Sequence, residues 1–170
     1  MIVISLLQLL LAVAFATMAI IARRYGAAAQ RAAEADAVRQ GLPDGILAEH
    51  GIRMEESKAE MALPLAIAAV FAVLAALNLA DVSAGRILTW ILQPLMLLAG
   101  GFITASQVFV VSYVEAAVRK SSDPALRRAD VRSFIAAAQT QFPACVRPLI
   151  IIRFLLTTAG SALILLLLAG

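Results

Sequence analysis

The sequence predicts an all-α, polytopic membrane protein: four transmembrane helices, with two helical loops gathered on the cytoplasmic side. Three observations carry that class. Of 170 residues, 62% are apolar and only 15% charged, where a soluble domain has about half and a quarter. The apolar residues fall into four charge-poor runs, each near the ~20 residues that a helix rising ~1.5 Å per residue needs to cross a ~30 Å hydrocarbon core. The basic residues lie almost all between the runs that one side of a membrane would join.

The runs are residues 1–22, 61–80, 87–114 and 148–170. The first is free of charge. The second is bounded by Glu60 and Asp81, and the third is uncharged over its whole length, enough for a tilted span or one that projects beyond the membrane. The fourth has Arg153 as its only charged residue. In lipid each must satisfy its own backbone hydrogen bonds, so each is expected to be helical. Small-residue spacing at Ala12, Ala14 and Ala16 resembles a signal cleavage site. No basic segment precedes the run, however, and Arg23 and Arg24 follow it, as in a retained anchor with its N-terminus out.

Residues 23–60 carry six basic side chains, residues 115–147 carry six more, and Arg153 adds another; only Arg86 lies on the opposite side. The positive-inside rule therefore predicts both loops in the cytoplasm and both termini outside; the abundance of Ala and Arg suggests a bacterial source, and hence a bacterial inner membrane. A pI near 9.6 invites a nucleic-acid partner, but the net charge is only +3, and the bias reports orientation instead. The expected surroundings are a bilayer with anionic headgroups and other membrane subunits or further copies of the chain.

The two loops differ in character. In the first, residues 27–40 have high helix propensity and should extend the first helix past the membrane. Leu42-Pro43-Asp44-Gly45 is turn chemistry, with Asp44 placed to cap a short helix that Gly51 ends. Its seven acids nearly balance its six bases, which suits a packed segment. The second loop is basic. Ser122-Asp123-Pro124 reads as a helix start, followed by an amphipathic helix over residues 125–141 with Leu126, Val131, Phe134, Ile135 and Ala138 near one face. Such a helix fits either the membrane surface, with Arg127, Arg128 and Arg132 meeting lipid headgroups, or a face of the first loop.

Little in the chain points to catalysis. The lone His50 cannot supply the axial pair of a membrane haem and reads as a surface residue; no cofactor is expected. The carboxylates Glu49, Glu55, Glu56 and Glu60 are interleaved with Arg53 and Lys58, a mixed helix surface rather than a metal site. Cys145 has no second cysteine to pair with and reads as a small buried residue at the start of the last helix. Candidates for interhelical contacts or a ligand pocket are Arg53, Glu60, Gln107, Glu115 and Arg153, with Glu115 the natural partner for Arg153 should that arginine not snorkel to the interface. Gly100, Gly101 and Gly160 would permit close helix approach, and scattered Gln, Asn, Thr and Ser side chains would bond across helices.

The run Arg53…Glu60…Pro64, entering the second span of a four-span chain, resembles the MAPEG family of small trimeric membrane enzymes of glutathione and eicosanoid chemistry. Ser57 stands where that family has an Asn, Glu60 is one residue further from the Pro, and the Arg/Tyr-rich end of helix three is replaced by the mostly apolar residues 109–114. The likeness spans about a dozen residues and does not by itself assign the family. It implies an enzyme acting on an amphiphilic or thiol substrate at the cytoplasmic interface; on the scattered charges of the chain, Arg53, Glu60 and Arg153 would be its binders. Against it stand a non-catalytic accessory or scaffold subunit of an inner-membrane complex, the reading that the sparse chemistry favours, and a small transporter or channel subunit. The absence of any intramembrane acid counts against the transporter.

Overall fold

The computed structural model describes residues 1–55 and 57–169, and of Lys58 the backbone alone. Among these residues the chain is all helical and contains four helices long and apolar enough to cross a membrane: Ile2–Arg39, Ala59–Leu79, Ser83–Val108 and Val146–Ala169. In finer detail these comprise α1 (Ile2–Arg39), α3 (Lys58–Leu79), α4 and α5 (Ser83–Leu95 and Gly101–Val108), and α8 and α9 (Val146–Leu155 and Ser161–Ala169). The connecting segments carry α2 (Ile46–Glu49), α6 (Val110–Arg119), a 3-10 turn at Leu126–Arg128 and α7 (Val131–Gln139).

The chain divides into two compact units. The four-helix unit is Met1–Ala19, Glu60–Val108 and Cys145–Gly170; the loop unit is Ile20–Ala59 and Phe109–Ala144.

The four-helix unit is polar inside and apolar outside. Gln8, Asn78, Thr89, Gln93, Thr104, Thr157 and Ser161 are all fully buried, whereas Leu98 and Phe102 are 73% and 74% exposed and Leu166 is 70% exposed. That inversion suits lipid, where an apolar exterior costs nothing and side-chain hydrogen bonds hold the helices together. An apolar layer of Leu11, Phe15, Phe71, Leu74 and Met96 fills the rest of the interior. Fully burying one such side chain is worth about 1.5–3 kcal/mol from water, less from lipid.

The third and fourth spans each widen into one π-helical turn, at Met96–Gly100 and Leu156–Gly160, and these two turns pack on each other. Each π turn inserts an extra residue, so Gly100 and Gly101 are both turned inward. The third span starts at Ser83, earlier than expected, and it ends at Val108 rather than running to residue 114. Phe109 leaves the helix with φ −103° and ψ 31°, and residues 110–114 open α6 in the loop unit. Uniform apolarity over residues 87–114 hid this break, because Val110, Val111 and Val114 pack on a different core.

In the loop unit, Ala29, Ala33 and Ala37 on α1 form a stripe of fully buried methyl groups. Against it pack Leu42, Ile46, Leu47, Leu126, Phe134 and Ile135. The apolar face of α7 is therefore spent inside this unit, with Phe134 at 0% exposure. Of the two destinations open to that face, the loop core is the one that these residues pack into. The expected single helix over residues 125–141 is also divided. Ala129 adopts an extended ψ of 140°, and Asp130 starts α7 by accepting the backbone N–H groups of Arg132 and Ser133. Asp123 accepts from the Ala125 N–H at 2.8 Å in the turn before Leu126, so the helical turn starts two residues later than expected, from Ala125 and without a side-chain cap. Asp44 caps nothing: α2 begins from Gly45 in the left-handed region at φ 78°, with no side-chain cap. Cys145 is exposed rather than buried.

Candidate functional site

The densest polar arrangement in the four-helix unit joins three helices. Asn78 on α3 donates to Gln8 Oε1 on α1 at 2.9 Å and to Thr89 Oγ1 on α4 at 2.8 Å, and Gln8 Nε2 donates to the same threonine oxygen at 3.1 Å. Thr89 in turn donates to the Gly85 carbonyl at 2.7 Å. Gly85 is needed there, since a Cβ would lie 2.9 Å from Leu77 Cβ and 3.0 Å from the Asn78 nitrogen. A turn further on, Gln93 donates to Ser161 on α9 at 2.8 Å, and Thr104, past the first π turn, shares a hydrogen bond of 3.0 Å with Thr157 within the second. On the third span these residues, with Gly85, Met96 and Gly100, form one buried stripe at steps of three and four. The side chains are neutral, so the stripe fastens helices without holding a charge in a low-dielectric interior.

Arg153 is the charged member of this interior. It is 4% exposed and its guanidinium lies 5.0 Å above the Phe15 ring centre, a cation–π contact, so the side chain is packed inward. The carboxylate expected to serve it, Glu115, is occupied within the loop unit, by Arg132 Nε at 3.3 Å and Arg119 at 3.8 Å. Gln107 keeps a buried Oε1 without a hydrogen-bond partner among the described residues. Glu60 is exposed in the first turn of α3, and Arg53 is exposed on the segment after α2. Of the three glycines expected at close contacts, Gly101 has Thr158 Cγ2 at 3.3 Å from an ideal Cβ. A Cβ on Gly100 would first meet the flexible Met96 thioether, and one on Gly160 would meet nothing nearer than 3.7 Å.

The loop unit is held by side chains that sequence reasoning did not single out. Gln30 on α1 accepts from the Met54 N–H at 2.6 Å and donates to the Ile52 carbonyl at 3.4 Å, folding the segment after α2 back on the helix. Glu34 accepts from the Ala48 N–H at 3.0 Å. At Gly26 the two backbones leave no room for a side chain: an ideal Cβ would sit 2.7 Å from the Met54 oxygen. Gln40 forms a reciprocal pair with Asp130, accepting its N–H at 2.7 Å and donating to its carbonyl at 3.2 Å, and so ties the two loops together. Asp36, 6% exposed, accepts from Arg39 and from Gln40 at 2.9 Å. The Arg39 hydrogen bond, helped by Ser133 and Gln40 and opposed by burial, holds the Asp36 carboxyl below its ordinary range. One signal was present in the sequence. Gly26, Ala29, Ala33 and Ala37 are spaced by three, four and four, a small-residue stripe that invites a close neighbour as well as a stable helix.

Two shallow grooves open on the loop unit. His50, whose Nδ1 lies 3.0 Å from the Ile46 carbonyl, lines one of about 310 Å³ together with Lys120, Ser121 and Ser122. The other, of about 240 Å³, is lined by Glu115, Arg119, Arg127, Asp130 and Arg132 over a floor that includes Val118 and Val131. Among the described residues no three His, Cys, Asp or Glu side chains come together as a metal site would need. Comparison with protein-family models, with curated proteins and with solved structures finds no match to this chain.

Proposed function

We propose that this chain is a non-catalytic accessory or scaffold subunit of a larger complex in a bacterial inner membrane, offering its loop unit as a folded cytoplasmic platform. The observation that carries the reading is the reciprocal Gln40–Asp130 pair. It joins two loops distant in sequence into one body with its own apolar core. A connecting loop that served only to return the chain to the membrane would need neither the core nor the tie. The neutral pairing of the buried polar groups in the four-helix unit supports a structural use of the spans. The cytoplasmic assignment of the platform rests on the basic residues, which charge the segments between the first and second and between the third and fourth spans.

The test is purification from native membranes in a mild detergent at low expression. The expected result is a defined assembly in which this chain has a fixed stoichiometry with other membrane proteins. Recovery of a bare monomer overturns the reading, and a closed homotrimer of this chain alone would favour the enzyme-like alternative.

A further inference from the structure

We propose that the groove on the loop unit between α6, the 3-10 turn and α7 is a binding site for a singly charged phosphodiester, as carried by an anionic phospholipid headgroup or by its soluble counterpart. Three arginines from three different elements converge on it: Arg119 from α6, Arg127 from the 3-10 turn and Arg132 from α7. Their backbones are fixed by packing. Leu126, beside Arg127, is 1% exposed, and Val118 and Val131 beside the other two are 3% and 5% exposed.

The acids of the groove are already committed. Glu115 holds Arg132 through Nε at 3.3 Å and Arg119 at 3.8 Å, and Asp130 Oδ1 caps α7 at 3.0 and 3.2 Å. Glu115 thus takes up Nε of Arg132 and pairs with Arg119, and neither Nη of Arg132 makes a hydrogen bond among the described residues. Arg127 makes no ion pair or side-chain hydrogen bond among the described residues. Three arginines against two carboxylates leave the groove one positive charge in excess, which matches one phosphodiester. Arginine is also the side chain that binds phosphate oxygens in a planar, two-point fashion. The volume of about 240 Å³ admits a phosphodiester with its glycerol. Arg128, next in sequence to Arg127, does not line the groove and supplies an internal control. This inference stands apart from the scaffold reading, since a bound headgroup needs no protein partner.

The test uses the full chain in neutral detergent, titrated with phosphatidylglycerol and, separately, with phosphatidylcholine, with bound lipid read by native mass spectrometry. The variants are Arg119→Gln, Arg127→Gln and Arg128→Gln. All three remove one positive charge from exposed side chains, and circular dichroism checks their folding. The first two are expected to weaken phosphatidylglycerol binding about five- to tenfold, as loss of one exposed charge-assisted contact should, with Arg128→Gln within about twofold of the parent. Soluble glycerophosphoglycerol supplies the second arm. Competition by it at similar affinity supports the site with a soluble ligand, and failure to compete while the variants discriminate supports the lipid headgroup. Equal losses in all three variants, or equal binding of phosphatidylcholine, overturn the proposal.

Discussion

Replacing Asn78 by Leu is the most direct test of how the four-helix unit is held. The side chain donates two hydrogen bonds, to Gln8 at 2.9 Å and to Thr89 at 2.8 Å, each to a different helix. Its own Oδ1 is buried without a hydrogen-bond partner among the described residues. Leucine removes that unsatisfied oxygen but strands Gln8 Oε1 in its place, so the two desolvation terms nearly cancel. What remains is the loss of two interhelical bonds, worth about 0.6 kcal/mol each on average and at most ~1.7 in a membrane protein. The expected destabilisation is therefore about 1–3 kcal/mol. Reversible unfolding in mixed micelles containing rising dodecyl sulfate, followed by the fluorescence of the single tryptophan, Trp90, would measure it. A double-mutant cycle with Gln8→Leu should return a coupling of about 0.6–1.7 kcal/mol. Val73→Leu, on a position 57% exposed, is the control and should stay within about 0.5 kcal/mol of the parent. A stable Asn78→Leu variant with no coupling to Gln8 would refute the claim that this triad fastens three helices.

Three further outcomes follow from particular contacts. Gly26→Ala should destabilise the loop unit by about 1–3 kcal/mol, because the new methyl meets the Met54 backbone oxygen. Gly100→Ala should cost less, because Met96 can move aside; thermal unfolding of the two variants compares them. Gln40→Ala removes both bonds to Asp130 and should cost about 1–2 kcal/mol. Amide exchange of residues 126–135 should then accelerate more than that of the four-helix unit, and uniform exchange would count against the tie. The lowered pKa of Asp36 means that its contribution to stability is complete above its ordinary value of 3.8 and is lost as pH falls through the lower folded value. Between pH 5 and pH 2.5 the parent should accordingly lose more thermal stability than Asp36→Asn, and an identical loss in both would show that the Arg39 contact is without energetic consequence.

The helix content and the four long apolar segments were legible in the chain itself. The cost of placing a side chain in lipid is set residue by residue and adds along a window, so no partner need be known. The extension of α1 through Arg39 was legible for the same reason, as helix propensity is local. Tertiary structure decided everything that depends on which surface a side chain meets. Residues 110–114 are as apolar as the span before them, yet Val114 belongs to the loop core, and only the break at Phe109 separates the two environments. The amphipathic face of residues 126–138 suited a bilayer or a protein equally well, since both reward apolar burial. Its place was settled by Ala29, Ala33 and Ala37, whose small side chains leave room for Phe134 and its neighbours. Gln30 and Gln40 looked like ordinary polar helix residues, because a glutamine that bonds a distant backbone has the same local sequence as one that bonds water. Glu115 likewise pairs with Arg119 and Arg132, a partnership that chain position alone could not reveal. Solvent preference is thus a property the sequence carries by itself, whereas a partner is a relation between distant residues and exists only once the chain has folded.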